Sequence, residues 1–225
     1  MKTLKSVTSK DGLLSVVQRD NMLALRNGEI GYSCIYTDES VYQPILLPVQ
    51  QVIESYAECH NVNHVAVLGG GCCTIPRFII RRFNNSIQID SVEYLSTIVE
   101  LTKQYFLQGI ATNRLNIVNE DAFHFIDNTT KKYDFIFVDM FVGQTWPKES
   151  KEPKFLTNLS QKTADDAIIM FNCYKLSHEQ CAEFGHIGEP FIGKSYIIKD
   201  NDDSNYYVLF LKNECDEQCI KKYLL

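Results

Sequence analysis

From Val65 to Phe171 the chain alternates short apolar runs with segments of helical spacing, and the first run breaks into three consecutive glycines. Val65–Leu68, Ile87–Val92, Leu115–Val118, Tyr133–Val138 and Ile168–Phe171 each read as a buried strand. Ile75–Phe83, Ser96–Leu107 and a short segment from Asp121 to Asp127 read as the intervening helices, with Ile98, Leu101 and Tyr105 turned inward on the second. Parallel strands need a crossover, and a helix supplies it, so this alternation predicts a parallel sheet covered on both faces. Upstream, Ile45, Val49, Val52, Ile53 and Tyr56 keep helical spacing over Val41–Tyr56, with Pro44 and Pro48 tolerated only near the start. Downstream, Tyr196–Ile198 and Tyr206–Leu211 flank the polar loop Asp200–Asn205 and read as an antiparallel hairpin added to the sheet. The first 37 residues read as a small β-ribbon of Leu13–Val17, Met22–Leu25 and Gly31–Tyr36, with Asn27-Gly28 as a turn. The expected division is therefore a ribbon over residues 1–37 and one α/β domain over 38–225.

Composition removes other classes. The 225 residues are 45% hydrophobic and 22% charged, which excludes a disordered or low-complexity chain. There is no apolar run of membrane-spanning length and no secretory signal pattern at the N-terminus, so the expected location is the cytoplasm. A net charge of −6 argues against a nucleic-acid-binding face and suits a cationic small molecule. Arg77, Arg81 and Arg82, and the pair Lys131-Lys132, read as solvated faces. The eight cysteines include no CxxC, so no metal site is expected. In a reducing compartment they read as thiols, with Cys215 and Cys219 on one face of a terminal helix.

In an open α/β sheet, ligands bind beyond the carboxyl ends of the strands. The residues at those ends are Gly69-Gly70-Gly71, Glu93, Asp121 and Asp139. The glycines let backbone approach a ligand and lead into a helix N-terminus. Thr74 stands where a dinucleotide fingerprint has its third glycine, which disfavours a nicotinamide cofactor. Glu93, 24 residues beyond Gly69, is placed to accept from both hydroxyls of a ribose. Asp121 is placed to accept from an exocyclic amino group of adenine, and an Asp there equally caps a helix. Asp139, after an apolar strand, is not needed for packing and faces the reacting end. The set suits a nucleoside carrying a sulfonium, whose reactive carbon needs positioning and a nearby base.

Five segments carry a resemblance to a known family. They are Asp38-Glu39-Ser40-Val41-Tyr42-Gln43, Leu68-Gly69-Gly70-Gly71, Val92-Glu93, Glu120-Asp121-Ala122 and Val138-Asp139. In order and spacing the chain resembles the spermidine synthases, the polyamine aminopropyltransferases. The resemblance implies a Rossmann-like seven-stranded class I methyltransferase fold with a C-terminal antiparallel hairpin and a small N-terminal β-ribbon. It also implies that Tyr42 and Asp139 orient and deprotonate an attacking amine. Gln43, Gly69, Gly70, Gly71, Glu93, Asp121 and Ala122 would hold the donor, S-adenosylmethionine or its decarboxylated form. Where the family's turn continues Asp-Gly, with the Asp facing the donor's amine end, this chain has Cys72-Cys73, and Cys72 at that place reads as small-residue packing ahead of a reactive thiol. Val142 replaces the second acid of the catalytic loop, and Asp139-Met140-Phe141-Val142-Gly143 with Pro147 resembles short members of the family. Aminopropyl transfer to a small amine leads, with methyl transfer and non-catalytic nucleoside binding as alternatives, and a homodimer is expected. Trp146 either covers the acceptor pocket or pins its loop.

Overall fold

The computed structural model describes residues 1–10, 12–37, 46–83, 87–200, 205–213 and 217–223. The N-terminal sheet is antiparallel and has four strands, β1 (Lys2–Ser9), β2 (Gly12–Arg19), β3 (Met22–Asn27) and β4 (Ile30–Tyr36), in that order. The ribbon read from sequence lacked β1. Its segment Lys-Thr-Leu-Lys-Ser-Val-Thr-Ser lies at the sheet edge and is mostly exposed, so it carries little apolar signal.

The main sheet is built by β5 (His64–Leu68), β6 (Gln88–Glu93), β7 (Leu115–Asn119), β8 (Tyr133–Val138), β9 (Thr163–Asn172), β10 (Lys194–Lys199) and β11 (Tyr206–Leu211), in spatial order β10-β11-β9-β8-β5-β6-β7. Strands β5 to β9 are parallel, and β11 enters antiparallel between β9 and β10. The order reverses at β5, where β6 leads one way and β8 lies on the other side. That is the switch point at which the carboxyl ends leave a crevice.

Period-two alternation sorts the sheet into two cores. Val65, Val67, Phe135, Phe137, Ile168 and Met170 face α1 (Leu47–Cys59) and α2 (Thr74–Arg82). Ala66, Leu68, Ile136, Val138, Ile169 and Phe171 face α4 (Ala122–Asn128), α5 (Pro153–Gln161) and α6 (His178–Gly188). Helix α1 starts with Pro48 in its first turn, as expected; residues 41–45 lie outside the described residues. Helices α5 and α6 were not read in the sequence. A third cluster joins Leu14, Val16, Leu25 and Ile35 of the N-terminal sheet to Leu95, Ile98, Leu101 and Phe106.

Helix α3 (Ser96–Leu101) continues into a π-helical turn over Thr102–Phe106. The extra residue rotates the face, so Phe106 is fully buried where an α-helical count puts Tyr105. Arg77, expected in solvent, is 3% exposed and donates to the Phe106 carbonyl. Lys131 is likewise not simply solvated, for it pairs at 2.7 Å with Asp90, whose side chain is buried. A disulfide joins Cys59 to Cys219 across 160 residues of sequence, tying the terminal helix α7 (Glu217–Ile220) to α1, where thiols had been expected. Among the described residues no helix is long and apolar enough to cross a membrane.

Asp90 accepts from Lys131, from Asn116 at 2.7 Å and from Tyr133 at 2.9 Å. Burial works to raise its carboxyl pKa, but these hydrogen bonds and the Lys131 charge hold it below the usual range. Asp90→Ala is expected to cost about 2–3 kcal/mol in urea melts, because three polar partners lose their acceptor. A carboxyl depressed in the folded state contributes fully above its unfolded pKa near about 4 and loses that contribution as pH falls. The gap between wild type and variant should therefore narrow in acid; a gap that is constant from pH 7 to pH 3 contradicts this account.

Candidate active site

The chain leaves β5 through Gly69, whose φ is +87°. A Cβ at that position would stand 2.2 Å from the carbonyl oxygen of Asp139. Any larger residue therefore drives apart the ends of β5 and β8. The Asp139 N–H donates to the Leu68 carbonyl at 2.7 Å and fixes that approach. Gly70 is as tightly placed against β6, where a Cβ would meet Ser91 Oγ at 2.2 Å. The N–H groups of Gly69 and Gly70 both donate to the Val92 carbonyl, at 2.9 and 2.8 Å.

Glu93 binds the far side of the same turn. Its Oε2 accepts from the Gly71 N–H at 3.0 Å and its Oε1 from the Leu95 N–H at 2.9 Å. The carboxylate is thereby fixed in orientation at the edge of the turn. Asp121 caps α4: its Oδ1 accepts from the N–H groups of Phe123 and His124 at 2.9 and 3.1 Å. Its Oδ2 has no hydrogen-bond partner among the described residues, so capping leaves one oxygen for a ligand. Ala122 follows and adds only a methyl group to the wall.

Asp139, at the end of β8, is half-buried. Burial pushes its carboxyl up to about 6; the Asn172 hydrogen bond opposes that and the Glu93 charge adds to it. Asn172 Nδ2 donates to Asp139 Oδ1 at 2.7 Å. Such a group is ionised at neutral pH yet takes a proton more readily than a surface carboxylate.

Gly69, Gly70, Gly71, Glu93, Asp121, Ala122 and Asp139 line one cleft of about 1780 Å³. Tyr42 and Gln43 lie outside the described residues. The N-terminal sheet supplies another wall, through Ile30, Tyr32 and Ser33. It is latched to the turn by Thr74 Oγ1, which donates to the Cys34 carbonyl at 3.0 Å, while Thr102 Oγ1 donates to the Gly71 carbonyl at 2.9 Å. Among the described residues no group of three His, Cys, Asp or Glu side chains could hold a metal ion.

Two expectations, for Cys72 and Trp146, need revision or resolution, and one residue was not anticipated. Cys72 does not meet the cleft: it is fully buried in the cluster with Leu14, Val16 and Leu25, under the N-terminal sheet. Burial pushes its thiol well above the ordinary range, so it is a packing residue. Trp146 pins its loop, since its Nε1 donates to the Asn172 carbonyl at 2.8 Å and its ring packs on Phe171 and Phe184. Asn172 was missed, although it directly follows an apolar strand as Asp139 does; the strand-end rule that found Asp139 would have found it.

The sheet order, the reversed strand β11 and a cleft assembled from strand ends define a class I methyltransferase-like architecture. Residues 40–183 match the family model of the spermine/spermidine synthase domain, and the chain belongs to that family. It is 30% identical over 164 residues to a polyamine aminopropyltransferase of Clostridium botulinum, covering 71% of this chain and 49% of that one. The chain thus spans about half the length of the curated relatives it matches. Among solved structures it is similar to a probable spermidine synthase from Corynebacterium glutamicum, with a TM-score of 0.75, 16% identity, and coverage of 99% of this chain and 86% of that chain. A spermidine synthase in complex with the transition state analogue AdoDATO gives a TM-score of 0.70 at 12% identity, over 98% of this chain and 75% of that one. At these identities the structural likeness speaks for the fold.

The position of Cys72 yields a prediction. Cys72→Asp buries a carboxylate with no cationic partner, which costs several kcal/mol. The variant is expected to melt well below wild type rather than to change donor preference. A variant with an unchanged melting temperature and a new preference for the decarboxylated donor would place this residue in the cleft.

Proposed function

We propose that the protein transfers an aminopropyl group from decarboxylated S-adenosylmethionine to the nitrogen of a small amine. The observation that carries this reading is Asp139: a half-buried carboxylate at the end of β8, touching the glycine turn, with its pKa pushed up to about 6. On this reading Glu93 accepts from the ribose hydroxyls and the open Oδ2 of Asp121 accepts from the adenine amino group. Gln43 helps hold the donor and Tyr42 orients the amine; these two roles come from the family resemblance.

The step is a displacement at carbon. The lone pair of the amine nitrogen attacks the propyl carbon bonded to sulfur. The carbon–sulfur bond breaks, and its electron pair stays on sulfur to give neutral methylthioadenosine. The proton lost by the attacking nitrogen goes to Asp139. An ammonium cannot attack, so the carboxylate has two uses: it attracts the cation and then accepts its proton. The substitution of Val142, which is 73% exposed, for a second acid leaves Asp139 as the carboxylate next to the turn on this loop. The proposal includes a small-molecule amine as acceptor, no metal ion in the step, and a cytoplasmic homodimer.

Asp139→Asn keeps the size and removes the base. Turnover of decarboxylated donor with putrescine is expected to fall by about 100-fold or more, with donor affinity by calorimetry unchanged. In the wild type, a base with a pKa near 6 must be ionised, so activity should rise with pH through about 6 and fall below it. An active asparagine variant, or a profile flat from pH 5 to pH 8, contradicts the base role. Asp121→Ala is expected to weaken methylthioadenosine binding about tenfold, the worth of one hydrogen bond to a charged group. Unchanged affinity removes Asp121 from adenine recognition.

A further inference from the structure

A second cavity lies beside the loop that carries Val142. It encloses about 430 Å³, and its walls include Lys148, Lys151 and Lys175 together with Trp146, Pro147 and Tyr174. Pro147 and Tyr174 also line the main cleft, so the two spaces are neighbours. Their charges are opposite. Residues three apart eclipse one another on a 3₁₀ turn. In the 3₁₀ turn Lys148–Lys151 the two lysines line the small cavity, while Glu149 and the following Glu152, also three apart, line the main cleft.

Lys175 arrives from the segment after β9. It is the third residue of a turn closed by the Leu176 N–H on the Cys173 carbonyl at 2.9 Å, and its φ is +64°. That conformation is strained for a residue with a Cβ, and glycine or asparagine fills it at less cost. Here it brings the ammonium group to the loop, where Lys175 donates to the side-chain oxygen of Gln144. Among the described residues none of the three ammonium groups stands within ion-pair distance of a carboxylate. Three uncompensated cations around one cavity repel each other, and in a chain of net charge −6 the cluster runs against the overall balance.

Such a cavity repels an amine and attracts an anion. Ammonium groups only donate, so the ligand must bring acceptor oxygens. The volume suits a small organic molecule better than a bare ion, and the two rings and Pro147 give its body an apolar wall. We propose that this cavity binds a small organic phosphate, whose phosphoryl oxygens accept from Lys148, Lys151 and Lys175 and whose carbon body lies against Trp146, Pro147 and Tyr174. A phosphate monoester carries close to two negative charges and three acceptor oxygens, where a carboxylate carries one charge and two oxygens. The site stands apart from the aminopropyl reading. Its occupant touches Trp146, which holds the carbonyl of Asn172, the partner of Asp139.

Trp146 is the single tryptophan of the sequence, so its emission reports on this cavity directly. The test titrates phenyl phosphate, inorganic phosphate, benzoate and phenol, followed by tryptophan emission and by calorimetry. Phenyl phosphate should bind saturably, at least tenfold more tightly than inorganic phosphate or benzoate, and more weakly as salt is raised. Phenol should not bind. Lys148→Gln, Lys151→Gln and Lys175→Gln change exposed side chains and so keep the fold. Each should weaken phenyl phosphate about tenfold, the worth of one hydrogen bond to a charged group. Asp139→Asn should not weaken it. The absence of both heat and emission change at millimolar phenyl phosphate overturns the proposal. So does an affinity that the lysine variants leave unchanged or that Asp139→Asn lowers, and so does equal binding of inorganic phosphate, benzoate or phenol.

Discussion

One close approach, between the ends of two parallel strands, sets everything else. At Gly69 the ends of β5 and β8 come so near that a single methyl group would collide with the Asp139 carbonyl. Because the two strands meet there, the glycine turn and the Asp139 side chain share one wall of one cleft. The N–H of Asp139 bonded to the Leu68 carbonyl, and the two glycine N–H groups bonded to Val92, hold three strand ends at fixed distances. Glu93 adds the last tie by accepting from Gly71. The geometry is a property of packed backbone, so the groups around a ligand need little rearrangement when it arrives.

Electrostatics then divides labour among similar side chains. Asp90 and Asp139 are both drawn from water, yet they move in opposite directions. Asp90 has three hydrogen-bond donors, one of them cationic, and stays below the ordinary carboxylate range. Asp139 has one neutral amide donor and the Glu93 charge nearby, and rises to about 6. The first arrangement serves stability and the second suits proton transfer. Asn172 sits at the junction, held through its own carbonyl by Trp146, so the loop that carries Val142 and Trp146 also steadies the partner of Asp139.

The alternation of strands and helices was legible because apolar periodicity of two and of 3.6 is written residue by residue, and the strand-end rule then pointed to Glu93, Asp121 and Asp139, which line one cleft. Elements with weak periodicity were not legible. Strand β1 is an exposed edge of Lys, Ser and Thr, and α6 carries two glycines, although its Ser177–Gln180 capping box was a readable signal. The π-helical turn that exchanges Tyr105 for Phe106 depends on tertiary partners, the Gly71 carbonyl for Thr102 and the Arg77 guanidinium for Phe106. Cys72 was misplaced because direction within a turn is set by backbone sense: Cys73 adopts φ of +59°, and Cys72 ends beneath a sheet that only the folded chain brings there. The hydrogen bond from Asn205 to Asn172 joins side chains 33 residues apart, and no local pattern announces such a pair.

The central claim is that the strand ends grip one adenosine and present its sulfur to Asp139. A crystal structure with methylthioadenosine bound tests it most directly. The account predicts ribose hydroxyls on Glu93, the adenine amino group on Asp121 and the sulfur beside Asp139. A nucleoside seated elsewhere, or one whose sulfur points away from Asp139, would contradict it.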